Sequence, residues 1–423
     1  MSGGVSGAGW ISALALSGLM LGGASAHAAD LGGDCCGDLE ERVAELEATT
    51  ARKGNRKVSL SISGWVNESV TFWDDGTESN VYVGTNSLEQ SRFKFSGEAK
   101  INNDWSAGYT LEIGVNGHAS NKWDQNSPAS SSDNVLTLRK SSWFLKSKSL
   151  GKVTVGLDGT STYHLLDDAD GANTRNYSDA EASAVYQGSF LIRSGGVLTG
   201  LKWSDVERGF NNGTPGQSGR RNVVKYDSPE FAGFVASVSW GEDDMWDTAL
   251  TYKGQISEFK LLGKIGYGES TDPNATACGG TAADFKCQWW GAAGTVMHDP
   301  TGLYVYGGYG QQKVDSIGLG LDDTSTTWFI QPGIERKWHP LGKTTIYGEY
   351  RKDEAGANPG KTLGADLTFW SAGVVQNIEA AAMDLYIMYR HAEGDYTTGT
   401  LAAPVNNTID DFDMVISGAR IQF

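Results

Sequence analysis

Val58-Ser59-Leu60-Ser61-Ile62-Ser63-Gly64-Trp65-Val66-Asn67-Glu68-Ser69-Val70-Thr71 is the stretch on which the fold turns. Val58, Leu60, Ile62, Gly64, Val66 and Val70 alternate with Ser59, Ser61, Ser63, Asn67, Ser69 and Thr71. In an extended chain that alternation puts apolar groups on one side and polar groups on the other. The pattern recurs as Phe93, Phe95, Gly97, Ala99 and Ile101 against Arg92, Lys94, Ser96, Glu98 and Lys100, and as Met383, Leu385, Ile387 and Tyr389 against Asp384, Tyr386, Met388 and Arg390. Such strands are longer than a soluble sandwich needs. Charges repeated on the polar side imply a wet interior rather than a second packed sheet.

The connections between these strands alternate as well. Short links are expected near 102–104, 149–151, 228–230, 298–300, 339–341 and 379–381, and longer polar stretches at 74–87, 116–134, 159–219, 270–284, 314–325, 353–365 and 393–408. Short turns at one end and long loops at the other are the layout of a membrane-spanning barrel. Counting a strand on each side of every connection gives about 16 strands, enough to leave an aqueous channel. The expected fold is therefore all-β: a transmembrane antiparallel β-barrel over 58–423, preceded by a short N-terminal periplasmic helix. Aromatic residues sit where strands meet connections, among them Trp65, Phe72, Trp73, Trp143, Tyr226, Trp289, Tyr304, Tyr306, Trp328 and Phe369. Girdles at the headgroup level account for them, and so does ordinary sheet packing.

Composition narrows the function classes. Only 39% of the 423 residues are hydrophobic and mean hydropathy is -0.34, which excludes a bundle of apolar membrane helices. With 56 glycines against 9 prolines, and 14 Trp and 16 Tyr, the chain favours strands and tight turns. A net charge of -17 argues against nucleic acid as a partner, because phosphate binding needs clustered Lys and Arg. The sequence holds no H-E-x-x-H, Walker loop or G-x-S-x-G elbow, and no Ser-His pair on a strand as a barrel lipase would need. Asp168-Ala169-Asp170-Gly171 has half the ligands of an EF-hand loop but no Glu at the twelfth position. We expect neither an enzyme nor a cofactor, and no bound metal.

Residues 1–28 read as a signal peptide. Trp10 to Leu21 is a short apolar run, and Ala26-His27-Ala28 is a small-residue cleavage site, although residues 1–9 carry no Lys or Arg. The segment 29–57 follows, with Asp38 and Glu41 spaced as a capping box and Leu39, Val43, Leu46 and Thr50 spaced as a coiled-coil seam. This helix is either a solvated amphipathic segment or a small periplasmic bundle joining protomers. In an exported chain, Cys278 and Cys287 in one Gly-rich loop are expected to form a disulfide, leaving the adjacent Cys35 and Cys36 for a bond between protomers or as free thiols.

The longest connection, 159–219, is expected to fold into the barrel as a constriction loop, since Tyr163, Leu165, Leu166, Tyr186, Phe190 and Ile192 need something to pack against. It carries Asp167, Asp168, Asp170, Asp179 and Glu181, while alternation puts Arg92, Lys94, Arg139 and Arg221 on inward faces. Opposed acidic and basic rows would set a transverse field across the pore. The competing reading is an external loop whose acids are merely solvated.

Several segments resemble a known family. The terminal Phe423 resembles the C-terminal signal of bacterial outer-membrane barrels, and Lys225-Tyr226-Asp227-Ser228-Pro229-Glu230-Phe231-Ala232-Gly233-Phe234 resembles the strand-turn-strand piece after the constriction loop of general porins. With the signal peptide, the Cys35-Cys36 pair, the helix and Trp105-Ser106-Ala107-Gly108-Tyr109, the chain is similar to the alphaproteobacterial general-porin family over nearly its whole length. The resemblance implies a 16-stranded homotrimer in outer-membrane lipid that passes small hydrophilic solutes and ions by passive diffusion. The alternative on the same barrel is a substrate-selective channel for a sugar or a carboxylate. An adhesin or structural anchor is a further reading.

Overall fold

The computed structural model describes residues 57–127, 135–174, 184–209, 214–241, 244–271, 286–315, 317–318 and 320–423. The expected signal peptide and the helix at 38–50 lie outside the described residues, as do Cys35, Cys36, Asp179, Glu181 and Cys278. One 17-stranded antiparallel sheet makes the wall. Ser79–Thr85 and Arg92–Lys100 both pair with Ser61–Asp74, the first opposite Glu68 to Asp74 and the second opposite Ser61 to Trp65. They share one place in the wall, so the barrel has 16 strand positions. The sheet closes where Ala403–Gln422 pairs with Ser61–Asp74, with Trp65 opposite Gln422 and Asp74 opposite Asp413. Gly64 and Phe423 exchange both backbone hydrogen bonds at 3.0 Å. Closure leaves no unpaired edge, which is what allows a sheet to stand in lipid.

Alternation sorts the side chains as the sequence implies. Along Ser61–Asp74, Ile62, Val66, Val70 and Phe72 are exposed on the outside, while Asn67, Ser69, Thr71 and Trp73 are buried inside. Outward Trp143, Trp240, Trp246, Trp290, Trp328 and Trp370 add exposed aromatic surface to this apolar band. Five residues expected in the girdles are instead buried within the barrel: Trp73, Trp289, Tyr304, Tyr306 and Phe369. Their partners come from a loop distant in sequence, which strand periodicity cannot reveal.

Two loop expectations need correction. Residues 393–408 are strand: Met383–Thr400 and Ala403–Gln422 form one long hairpin turning at 401–402. Its tip lacks apolar alternation because both of its faces are wet, so the period-two signal that marks a lipid-facing strand is missing. The stretch 74–87 is a turn at 75–78 followed by strand Ser79–Thr85, and only 86–91 leaves the wall. Links at 242–244 and 257–258 are so short that the sequence reading passed over them.

The described parts of the connection 160–219 fold inward. At its start, the Asp247 carboxylate accepts hydrogen bonds from Ser161 N (3.0 Å), Thr162 N (2.9 Å) and Thr162 Oγ1 (2.6 Å), and the Trp289 indole donates to Thr162 Oγ1 at 2.8 Å. Leu165 and Leu166 then lie on wall glycines. A Cβ on Gly310 would stand 2.1 Å from Pro215 O, and one on Gly291 would stand 2.6 Å from Gly216 O and 3.0 Å from Leu166. Tyr306 donates to Leu166 O (2.9 Å), Thr295 to Ala169 O (2.6 Å) and Gln331 to Thr174 Oγ1 (2.7 Å), so the loop is hydrogen-bonded to strand after strand around the inner wall.

The later part packs against the opposite wall through Phe190, Ile192 of the strand Leu191–Ser194, and Trp203 and Val206 of the short helix Trp203–Val206, while the second hairpin strand, Val197–Lys202, is exposed or half-buried. Phe190 meets Trp73 at 5.1 Å and Phe412 at 5.0 Å, and Trp203 meets Phe412 at 5.9 Å. Burying each such ring stabilises by roughly 2–3 kcal/mol. That half of the lumen is a packed core.

Candidate functional site

The open part of the lumen lies beside the strands that carry most of the inward bases. A cavity of about 560 Å³ is lined by Trp65, Arg92, Glu112, Lys140, Asp158 and Lys225 on the wall side and by Tyr163, His164 and Asp168 on the loop side. A smaller one of about 230 Å³ adjoins it, between Trp65, Arg92, Lys94 and Phe423. Wall positions are set by the pleat, with one exception. Between Glu112 and Ile113 the register with Leu136–Ser147 shifts by a residue. This bulge turns both Arg139 and Lys140 toward the interior, although they are consecutive.

The bases are held in place. Arg92 bonds Glu89 at 2.8 Å and Glu112 at 3.3 Å, with its guanidinium 4.4 Å from the Trp65 ring centre. Arg139 reaches Glu112 at 2.8 Å and Gln90 Oε1 at 2.7 Å. Lys140 pairs with Asp158 at 2.9 Å, and Arg221 stands opposite Asp158 in the register. Lys94 lines the smaller cavity. Of the four bases read from the sequence, Arg92 and Lys94 line these cavities, Arg139 meets the lining residue Glu112, and Arg221 stands opposite the lining residue Asp158 in the register.

The acids of the loop are split. Asp168 faces the cavity, its side chain 43% exposed, and pairs with Lys264 at 3.0 Å. Asp167 is buried and takes His164 Nδ1 at 2.5 Å. The Asp170 carboxylate accepts from Ala172 N at 2.8 Å and from the Thr174 hydroxyl, so it shapes the loop. Residues the sequence reading missed are Trp65, Glu89, Glu112, Lys140, Asp158, Lys225, Asp227 and Lys264. Those on regular strands follow the same alternation that found Arg92, but Lys140 was hidden by the bulge and Glu89 by the excursion from the wall.

On the filled side the loop is locked by charge. Arg193 bonds Asp75 at 2.9 Å, and Gln125 Nε2 donates to the same carboxylate at 3.2 Å. Burial raises the Asp75 pKa, but hydrogen bonds from Arg193, Glu78 N, Gln125 and Thr77 N outweigh it and hold the carboxyl below its usual 3.8. At the far end of the barrel, hydrogen bonds from the Ser147 and Ser149 hydroxyls and from the Ser149 and Lys148 amides lower the Asp104 carboxyl in its turn.

Cys287 is buried and disulfide-bonded, and its partner lies outside the described residues.

A family model described as Gram-negative porin matches residues 13–403. Among solved structures, an anion-selective porin from Comamonas acidovorans aligns with a TM-score of 0.59 at 16% identity, covering 86% of this chain and 100% of that one. OmpF of Salmonella typhi, solved with daunomycin, aligns at 0.54 with 13% identity, covering 88% and 99%. OmpT, an outer membrane protein of Vibrio cholerae, aligns at 0.53 with 14% identity, covering 88% and 99%. No curated protein sequence matches the chain. At these identities the structural likeness speaks to the fold.

Proposed function

Because the chain belongs to the Gram-negative porin family, and so forms an outer-membrane channel for passive diffusion of solutes, we propose that the 160–219 loop is its constriction. Asp168 then faces Arg92, Lys94, Arg139, Lys140 and Arg221 across the eyelet. The observation that carries this is the course of the loop, hydrogen-bonded to the inner wall from Asp247 to Gln331. A field between the loop carboxylate and the basic wall orients dipolar solutes, and apolar solutes must shed water to pass. Asp167, Asp170, Asp179 and Glu181 complete the acidic row as read from the sequence. In this reading Asp167 and Asp170 act through the loop's shape.

The general channel is favoured over a sugar-selective one. Trp73, Phe190, Trp203, Phe369 and Phe412 point inward but are buried against one another, so they offer no aromatic track to a passing sugar. Conductance with a salt-gradient reversal potential tests the assignment. Asp168→Asn is expected to move selectivity toward anions, and Asp167→Asn to leave reversal unchanged while increasing current noise. Equal effects of the two would remove Asp168 from the eyelet.

A homotrimer is the proposed assembly. OmpT of Vibrio cholerae has been solved in a trimer form. In this chain Glu68 stands exposed on the outer wall between Val66 and Val70, where a charge facing lipid is destabilising. Hydroxyls of Thr85 and Ser91 at 3.0 Å answer one of its oxygens, and cover by a second copy would answer the rest. The Cys278–Cys287 disulfide and a bundle of the 38–50 helices belong to the same proposal.

A further inference from the structure

Resting on the channel reading, we infer that the eyelet of this acidic chain is anion-selective and that Lys94 and Lys225, on separate strands and lining adjoining cavities, are two separate points of weak contact for small organic anions bearing carboxylates. The net charge of -17 would by itself point to cations. Local pairing points the other way. Five carboxylates line the larger cavity: Glu89, Glu112, Asp158, Asp168 and Asp227. Each is answered. Glu89 and Glu112 meet Arg92, Glu112 also meets Arg139, Asp158 meets Lys140 and Asp168 meets Lys264, all between 2.8 and 3.3 Å. Asp227 accepts from Ser237 Oγ at 2.6 Å and stands opposite Lys152 in the register.

Lys94 and Lys225 have no carboxylate within salt-bridge distance among the described residues, though both face the lumen. The charge left over after pairing is therefore positive. Fixed charge in a narrow channel with low-dielectric walls acts over about the 8 Å Debye length of physiological salt, so pairing at the eyelet decides selectivity ahead of the acids at distant loops. Two unpaired ammonium groups, each with three donors and no fixed acceptor, suit a carboxylate that exchanges partners as it passes.

The test is the reversal potential of the purified protein in a bilayer under a potassium chloride gradient, followed by addition of succinate at constant ionic strength. The wild type is expected to favour chloride over potassium, and succinate to lower its chloride current. Lys94→Gln with Lys225→Gln should cut the chloride preference by roughly threefold or more while the channel still conducts. It should also abolish the succinate effect. Lys94→Arg with Lys225→Arg should keep both properties, which separates charge from damage to the fold, and Lys148→Gln in a turn should change neither. A conducting wild type that favours potassium, or a double Gln variant with unchanged reversal, overturns the inference and leaves the channel standing. A folded barrel that passes no current overturns both.

Discussion

Asp75 shows how one carboxylate holds a distant loop. It is 2% exposed and accepts from Arg193, Gln125 and the amides of Thr77 and Glu78. Its folded pKa lies below the ordinary 3.8. The stabilisation it contributes is therefore full above that value and is lost as pH falls through the folded one. Channel noise is expected to stay flat from neutral pH to about 4 and to rise below it. In Asp75→Asn, noise should be high at neutral pH and pH-independent over that range, since Arg193 is left buried with Glu78 as its one carboxylate partner, at a local cost of about 3 kcal/mol. Noise that rises with acid equally in both proteins would assign the effect elsewhere. Nothing local in the sequence links Asp75 to Arg193, 118 positions away. By contrast the inward side of Arg92, Lys94 and Arg139 was legible, because a strand's pleat fixes it without knowledge of the partner. Lys140 was not, because a bulge adds one residue and reverses that parity.

At the scale of elements, the inward loop depends on glycines that the strands offer it. Gly310 lies under Pro215, and any side chain there meets a backbone oxygen. Gly310→Val is expected to lift the segment at 214–217 off the wall and raise single-channel conductance, with the barrel's heat-dependent gel shift retained. A fall in conductance with an intact loop would contradict the packing. The disulfide makes a second check. Cys287 heads the strand Cys287–His298 at the long-loop end, and its bond is expected to be to Cys278. Peptide mapping without reduction should recover that pair, and a Cys287 linked to Cys35 or Cys36 would refute it. The sequence located most turns well, since a short polar break between alternating runs is a local signal. It misread 393–408, where the hairpin stands clear of lipid and both faces are polar, and it assigned Trp73 and Phe369 to girdles when they form the core under the loop.

For the whole molecule, a closed wall of 16 strand positions encloses two unlike halves. One is packed by Phe190, Trp203 and their neighbours, and the other is lined by Trp65, Arg92, Lys140, Asp168 and Lys225. The barrel was readable from period, turn spacing and composition, because those are properties of every strand. The partition of its lumen was not, because it depends on where a loop of some 60 residues lands. The second half is thus an open, narrowed path that does not select among neutral solutes. Swelling of liposomes containing the protein, in a series of neutral sugars of increasing size, measures this. The predicted result is a rate that falls smoothly with solute size and rises in proportion to concentration. Swelling in no sugar, or a rate that saturates for one sugar alone, would contradict it.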